Sequence, residues 1–363
     1  MSSESWFPEP KVTRVTFNGK TSDINIQFAA NVERHDQRIV ELKSVDEGLN
    51  WVESSAHPEE AGQIVRYGSL AYREYSASFD PSSNLVSRGI LDRSRDGGVH
   101  WERPLFRING QPQQIDNGGN DRSPTSITFN FGAANPQEPT SIYGCFHLTR
   151  PSPQHGSNQS SFVPGLYVST DAGDNWSLLS NDVQGESRLT EGCPLGISSL
   201  NSATMIAHGR SGVILSHDGG KHWDPVGEAS YLEQPAPLEG YADGLAKTEK
   251  KGVIVENKWP FDWTYLIIKK IAFLPRSDEI AFLLTNKGLY RTDDRAKSWR
   301  LLDTGLHKLF DLRNLYIEPA PEGRIYIGTT EKILASDDLG CKFRVLFDST
   351  SYSNNDRRRV GHH

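Results

Sequence analysis

The chain has 363 residues and a formal net charge of −7, with a pI near 5.9. Apolar residues make up 36% and charged residues 23%, the balance of a chain that folds around apolar cores rather than staying disordered. The acidic charge argues against a dedicated nucleic-acid binder, and without a run of about 18 apolar residues no membrane-spanning helix is expected. Length allows two ordinary domains or one large repetitive one. The first ten residues, MSSESWFPEP, are polar and acidic, so no secretory signal is expected. Cys145, Cys193 and Cys341 stand far apart. They predict neither a metal site nor a disulfide framework, and a reducing cytoplasm is the expected location.

Along the chain, residues 1–11 read as an N-terminal extension. Segments 12–17, 24–30 and 38–43 alternate apolar and polar residues and read as strands. The octapeptide SVDEGLNW follows at 44–51. Its pattern, S/T-x-D-x-G/A-x-x-W/F, recurs at 94–101, 169–176, 216–223, 292–299 and 336–343. Most copies follow a short apolar strand such as 165–168, 212–215 or 288–290. A carboxylate at position 3 can accept backbone N–H groups of a sharp turn, Gly at position 5 supplies a positive φ, and the aromatic ring at position 8 is expected to be buried. Asp46, Trp51, Asp96, Trp101, Asp171, Trp176, Asp218, Trp223, Asp294, Trp299, Asp338 and Phe343 are therefore expected to be scaffold residues. Successive copies start 50, 75, 47, 76 and 44 residues apart, against about 40–50 residues for a four-stranded propeller blade.

The octapeptide resembles the Asp box, or BNR repeat, of sialidases and other β-propellers. The resemblance implies an all-β chain: a six-bladed β-propeller of four-stranded antiparallel blades, with seven blades as the lesser alternative. One domain would span residues 12–348, with a tail from 349 to 363. In such a ring the boxes join the third and fourth strands of each blade on one face. The connections between second and third strands, and between blades, then lie on the other face. Stretches 103–125, 149–164, 180–195 and 224–265 would all belong to that second face, and long loops converging on one face point to binding.

The largest stretch carries Tyr231, Tyr241, Trp259, Phe261 and Trp263, and the first carries Phe106, Arg107 and Arg122. Aromatic and Arg side chains are the types enriched at binding surfaces. Trp259, Phe261, Trp263, Tyr241, Arg107 and Arg122 are the candidate partner-binding residues. The same rings would serve equally as the local core of a long loop.

Sialidases clamp the substrate carboxylate with three Arg on the box-free face, and bidentate pairing explains that choice. They add an Asp as acid/base and a Tyr as nucleophile. Arg14 stands on the first strand, where the first Arg would be, without the Ile-Pro that follows it in the family. Asp36 occupies the turn of the acid/base. Tyr316, near Arg313 on the first strand of the last blade, occupies the place of the nucleophile. The first strand of the fourth blade, 196–200, has no Arg, and that of the fifth has Lys269 and Lys270. The resemblance therefore implies a sialidase-like fold without a complete sialidase active site.

Among the histidines, His100 and His222 share position 7 of their octapeptides and read as exposed decoration. His147 reads as a sheet residue, and His208-Gly209-Arg210 as a turn on the candidate binding face. Neither a metal motif nor a phosphate-cradling loop is present in the sequence, and no cofactor is expected. The expected function is a non-enzymatic module that docks a protein or glycan, as assembly factors resembling those of photosystem II and sorting-receptor ectodomains do. A glycoside hydrolase with a diverged site, or a bacterial inhibitor of the immunity type, is the alternative.

Overall fold

The structure is a computed structural model. It describes residues 11–17, 24–33, 36–46, 48–54, 63–75, 79–80, 85–86, 90–113, 127–148, 163–183, 192–209, 212–226, 268–306, 312–317, 323–329 and 331–349. All regular elements among them are strands, and every sheet but the second is filled by strands consecutive in the chain. The first comprises β1 (Lys11–Phe17), β2 (Ile24–Glu33), β3 (Asp36–Ser44) and β4 (Val52–Ser54). The second comprises β5 (Gln63–Tyr67), β6 (Leu70–Tyr75) and, past a ribbon of β7 (Phe79–Asp80) and β8 (Leu85–Val86), β9 (Ile90–Ser94). In the third, β10 (Arg107–Ile108) and β11 (Gln111–Pro112) join the outer edge of β12 (Ile127–Ala134), β13 (Ile142–Leu148), β14 (Gly165–Ser169) and β15 (Asn175–Ser180).

The fourth sheet holds β16 (Leu195–Ile197), β17 (Met205–Gly209), β18 (Gly212–Ser216) and β19 (Asp224–Pro225). The fifth holds β20 (Ile268–Phe273), β21 (Ala281–Thr285), β22 (Gly288–Thr292) and β23 (Arg300–Leu301). The last holds β24 (Leu312–Ile317), β25 (Ile325–Thr329), β26 (Lys332–Ser336) and β27 (Arg344–Asp348). β12 packs on β16, β16 on β20, β20 on β24, and β25 on β1. The first strands of the third to sixth sheets thus face one another, and the last sheet meets the first. There Trp51 meets Phe347 edge-on, ring centroids 5.4 Å apart. The architecture is an all-β propeller.

The apolar side chains explain the stacking. Successive strand residues point to opposite faces, and in a ring both faces of a sheet are covered. On β13, Ile142 and Phe146 enter a core shared with the second sheet, while Tyr143 and Cys145 enter one shared with the fourth. On β17, Met205 and Ala207 face the third sheet and Ile206 faces the fifth. Near-continuous apolar strands such as β13, β17 and β21 follow from this two-sided burial, as they do in sheets covered on both faces. Each fully buried Leu, Ile or Phe there contributes ~1.5–3 kcal/mol.

Two expectations are corrected. Five sheets among the described residues have four or more strands, rather than six; the sheet of β5, β6 and β9 has three. Its fourth strand stops after one bridge, Arg93 to Glu102. Pro104 lacks the N–H that would extend the ladder. Beyond it the chain is captured by the third sheet, where Leu105 N donates to Asp174 Oδ1 at 3.3 Å and Arg107 N to Asp174 O at 2.8 Å. The cysteines are not three separate thiols: Cys145 and Cys193 form a disulfide, their Cα atoms 5.5 Å apart. Their separation of 48 residues hid a proximity that only the stacking of the third and fourth sheets creates. The cytoplasmic expectation loses its cysteine argument, because structural disulfides persist chiefly in oxidising compartments.

Candidate functional site

The octapeptides close the turns between the third and fourth strands. In all six, the Ser or Thr hydroxyl of position 1 donates to the Asp of position 3 at 2.7–2.9 Å. The same hydroxyl oxygen accepts the N–H of position 5 at 2.8–3.0 Å. The Asp accepts the N–H of position 7 at 2.8–2.9 Å. Trp176 and Trp223 donate Nε1–H to the carbonyls of Gly173 and Gly220 at 2.8 and 2.9 Å. Trp176 and Trp299 are buried, whereas Trp51, Trp101, Trp223 and Phe343 are half-buried.

These bonds hold the carboxyls of Asp46, Asp96, Asp218 and Asp338 below the ordinary value of 3.8, the N–H of position 7 being the largest cause in each. In Asp171 and Asp294 burial opposes the shift, and the bonds from Asn175 and Ser298 overcome it. These carboxylates are taken up by the hydrogen bonds of their own turns.

Two features of these turns escaped sequence reasoning. Position 7 is not decoration. Its side chain bonds the second Asp oxygen at 2.5–2.6 Å in five copies, through Asn50, His100, Asn175, His222 and Ser298. The residue just before an octapeptide also staples neighbouring sheets where it is Arg. Arg93 Nη1 donates to the Ala172 carbonyl at 3.0 Å and pairs with Asp174 at 2.8 Å. Arg291 Nη1 donates to the Leu339 carbonyl at 2.8 Å. Ala172 and Leu339 are the fourth residues of the next octapeptides, so the two staples are equivalent. An Arg immediately before the Ser or Thr was the only signal available.

The opposite face is built differently. On the octapeptide face, connections between first and second strands are as short as 135–141, 198–204 and 274–280. The strand ends that flank 76–89, 149–164, 181–194 and 226–267 lie at the other end of the sheets, whereas the chain leaves β11 at the octapeptide end. The strand ends that anchor them carry Tyr167, whose hydroxyl donates to the Val163 carbonyl at 2.7 Å, and Val183, which bridges to Gly209. His208 is not in a turn. It lies within β17, buried, on the side of that strand that carries Ile206, and its Nδ1 has no hydrogen-bond partner among the described residues. Burial lowers its pKa and keeps the ring neutral.

The candidate binding residues divide. Trp259, Phe261, Trp263, Tyr241 and Arg122 lie outside the described residues. Arg107 is described, on β10, paired with Asn175 at the octapeptide end of the third sheet's outer edge. Phe106 is buried, stacked on Trp176 at 6.0 Å and edge-on to Phe129 at 5.0 Å. The first part of the 103–125 stretch is thus a hairpin rather than an open loop.

Of the hydrolase candidates, Arg14 lies on β1 and Arg313 on β24, and Asp36 opens β3; their side chains lie outside the described residues. Tyr316 is half-buried near the octapeptide end of β24, cross-strand from Tyr326 with ring centroids 6.2 Å apart. Asp36 is at the other end of its sheet, so strand direction does not bring the two to one face. Among the described residues no group of three His, Cys, Asp or Glu is placed to hold a metal ion, and no helix is long and apolar enough to cross a membrane.

No family model matches the chain, and no curated protein matches it. Solved structures that do match include YCF48 bound to a D1 peptide, at 14% identity over 93% of this chain and 82% of that one, with a TM-score of 0.39. YCF48 from Cyanidioschyzon merolae matches at 15% identity over 88% and 80%, TM-score 0.38. An ancestral GH74 enzyme matches at 13% identity over 91% of this chain and 45% of that one, TM-score 0.49.

Proposed function

We propose that the chain is an Asp-box propeller that binds a protein or glycan partner on the face opposite its octapeptides and performs no chemistry of its own. The observation that carries this reading is the asymmetry of the two faces. Described connections on one side are short and internally bonded; on the other, 76–89, 149–164, 181–194 and 226–267 start and end at the sheets. A rigid ring that spends its extra length on one face is the arrangement of a binding scaffold. Trp259, Phe261 and Trp263, with Tyr241 and Arg122, supply the residue types that anchor interfaces, where a desolvated ring contributes ~2 kcal/mol or more.

The test is affinity capture from the native source, followed by titration with the captured partner. Trp259→Ala and Trp263→Ala are expected to weaken binding about tenfold or more, with unchanged thermal unfolding. Lys221→Ala and Lys297→Ala, exposed on the octapeptide face, are expected to leave binding unchanged. Asp174 is unsuitable as a control because it pairs with Arg93. Loss from the lysine variants, with none from either tryptophan, moves the binding surface to the octapeptide face.

A further inference from the structure

The Cys145–Cys193 bond is the one covalent link between sheets among the described residues. Cys145 sits mid-strand on β13, fully buried, and Cys193 lies two residues before β16, at 5% exposure. Both belong to the apolar core shared by the third and fourth sheets, with Leu166, Leu195, Met205 and Ile214 around them. The surroundings are shaped for the bridge. Gly132 on β12 faces it so closely that a β-carbon there would stand 3.1 Å from Cys193 Sγ and 3.2 Å from the Tyr143 carbonyl. A Cα separation of 5.5 Å is ordinary for a disulfide, so neither strand has to move to form it. Cys341, exposed on the last octapeptide, takes no part.

We propose that this pair is a redox-controlled strap, which fastens the third sheet to the fourth when oxidised and makes an oxidising compartment the place where the protein reaches its stable form. A ring of separately folded sheets holds together only through sheet-to-sheet interfaces, and the strap converts one of them from apolar contact to covalent closure. Formation is thiol–disulfide exchange with a small-molecule disulfide. One S–S bond forms in the protein and one breaks in the oxidant, and the two thiol protons pass to the two small-molecule thiols released. A dithiol reverses the exchange and is itself oxidised. With both sulfurs in the core, a reductant reaches them only when the interface opens, so the rate of reduction reports that opening.

The full-length chain, equilibrated with glutathione disulfide and then denatured and alkylated, is expected to show a Cys145–Cys193 linked peptide and one modified cysteine, Cys341. Reduction by dithiothreitol should be about tenfold or more slower in native buffer than in denaturant, and should lower Tm by about 3–6 °C. Cys341→Ala keeps this response, and Cys145→Ala/Cys193→Ala loses it. Three modified cysteines after oxidation, or an equal loss of Tm in the double variant, overturn the proposal. The alkylation map is made on the unmutated chain, so it decides even where the double variant does not fold.

Discussion

Five of the octapeptide turns, those with both residues described, hold two consecutive residues in left-handed backbone. Position 5 has φ of +82° at Gly48, +100° at Gly98, +105° at Gly173, +88° at Gly220 and +87° at Gly340, and +64° at Ala296, the one copy that accommodates a β-carbon there. Position 4 is also left-handed, yet holds Ala172, Arg295 and Leu339 at φ of +62°, +58° and +56°. In the fourth octapeptide the difference is space. A β-carbon on Gly219, at position 4, meets nothing within 4 Å, whereas one on Gly220 stands 2.9 Å from Leu179 Cδ2 and 3.3 Å from the Trp223 ring. Gly219→Ala is therefore expected to cost ~1 kcal/mol from backbone conformation alone. Gly220→Ala is expected to cost ~2–4 kcal/mol, because overpacking adds to the same term. Denaturant midpoints of the two variants check the difference, and equal losses would show that space is not what separates the positions. Positions 1, 3, 5 and 8 were legible because one residue type, or a close pair, serves each. Positions 4 and 7 were not, since any residue tolerated in αL fits the first, and Asn, His and Ser perform the same task at the second.

At the scale of elements, the hairpin of β10 and β11 shows how a sheet is extended by chain that leaves its neighbour. β10 runs parallel to β15, with Arg107 beside Asn175 and Ile108 beside Trp176. Phe106, at φ +27°, turns its ring into the aromatic core of Phe129, Phe146 and Trp176. Phe106→Ala is expected to destabilise by ~3–5 kcal/mol, the cost of deleting a buried ring. It should also speed amide exchange at Arg107 and Asn109, whose N–H groups bond to Asp174 O and Trp176 O at 2.8 and 3.4 Å. Unchanged exchange at those amides would mean that the backbone bonds alone hold the hairpin. Sequence pattern could not place it. Two-residue strands carry no periodicity, and β10 finds its partner only after the second and third sheets are stacked. The long strands were legible for the converse reason: β2, β3, β12 and β13 fall on the apolar segments that a two-sided core requires.

For the whole molecule, the octapeptides make stability depend on acid in one direction. Every octapeptide Asp has its carboxyl held below the ordinary 3.8 in the folded chain. A depressed carboxyl contributes stability that is present above its unfolded pKa and is lost as pH falls through the folded one. Unfolding midpoints are therefore expected to be insensitive to these groups from neutral pH down to about 4, and to fall progressively below it. Asp171→Asn should flatten part of that acid limb and leave the neutral limb's slope unchanged. An acid limb identical in this variant would assign the effect to other carboxyls.

The sequence by itself determined the repeating unit and the all-β class. Those follow from local chemistry: a hydroxyl, a carboxylate and a glycine at fixed spacing close the same turn wherever they occur. Tertiary structure alone decided what joins one unit to the next. The third sheet's hairpin edge, the three-stranded second sheet, the Arg staples and the Cys145–Cys193 bond each connect residues far apart in the chain. Which of them meet depends on the stacking of whole sheets, a relation that no spacing along the chain encodes.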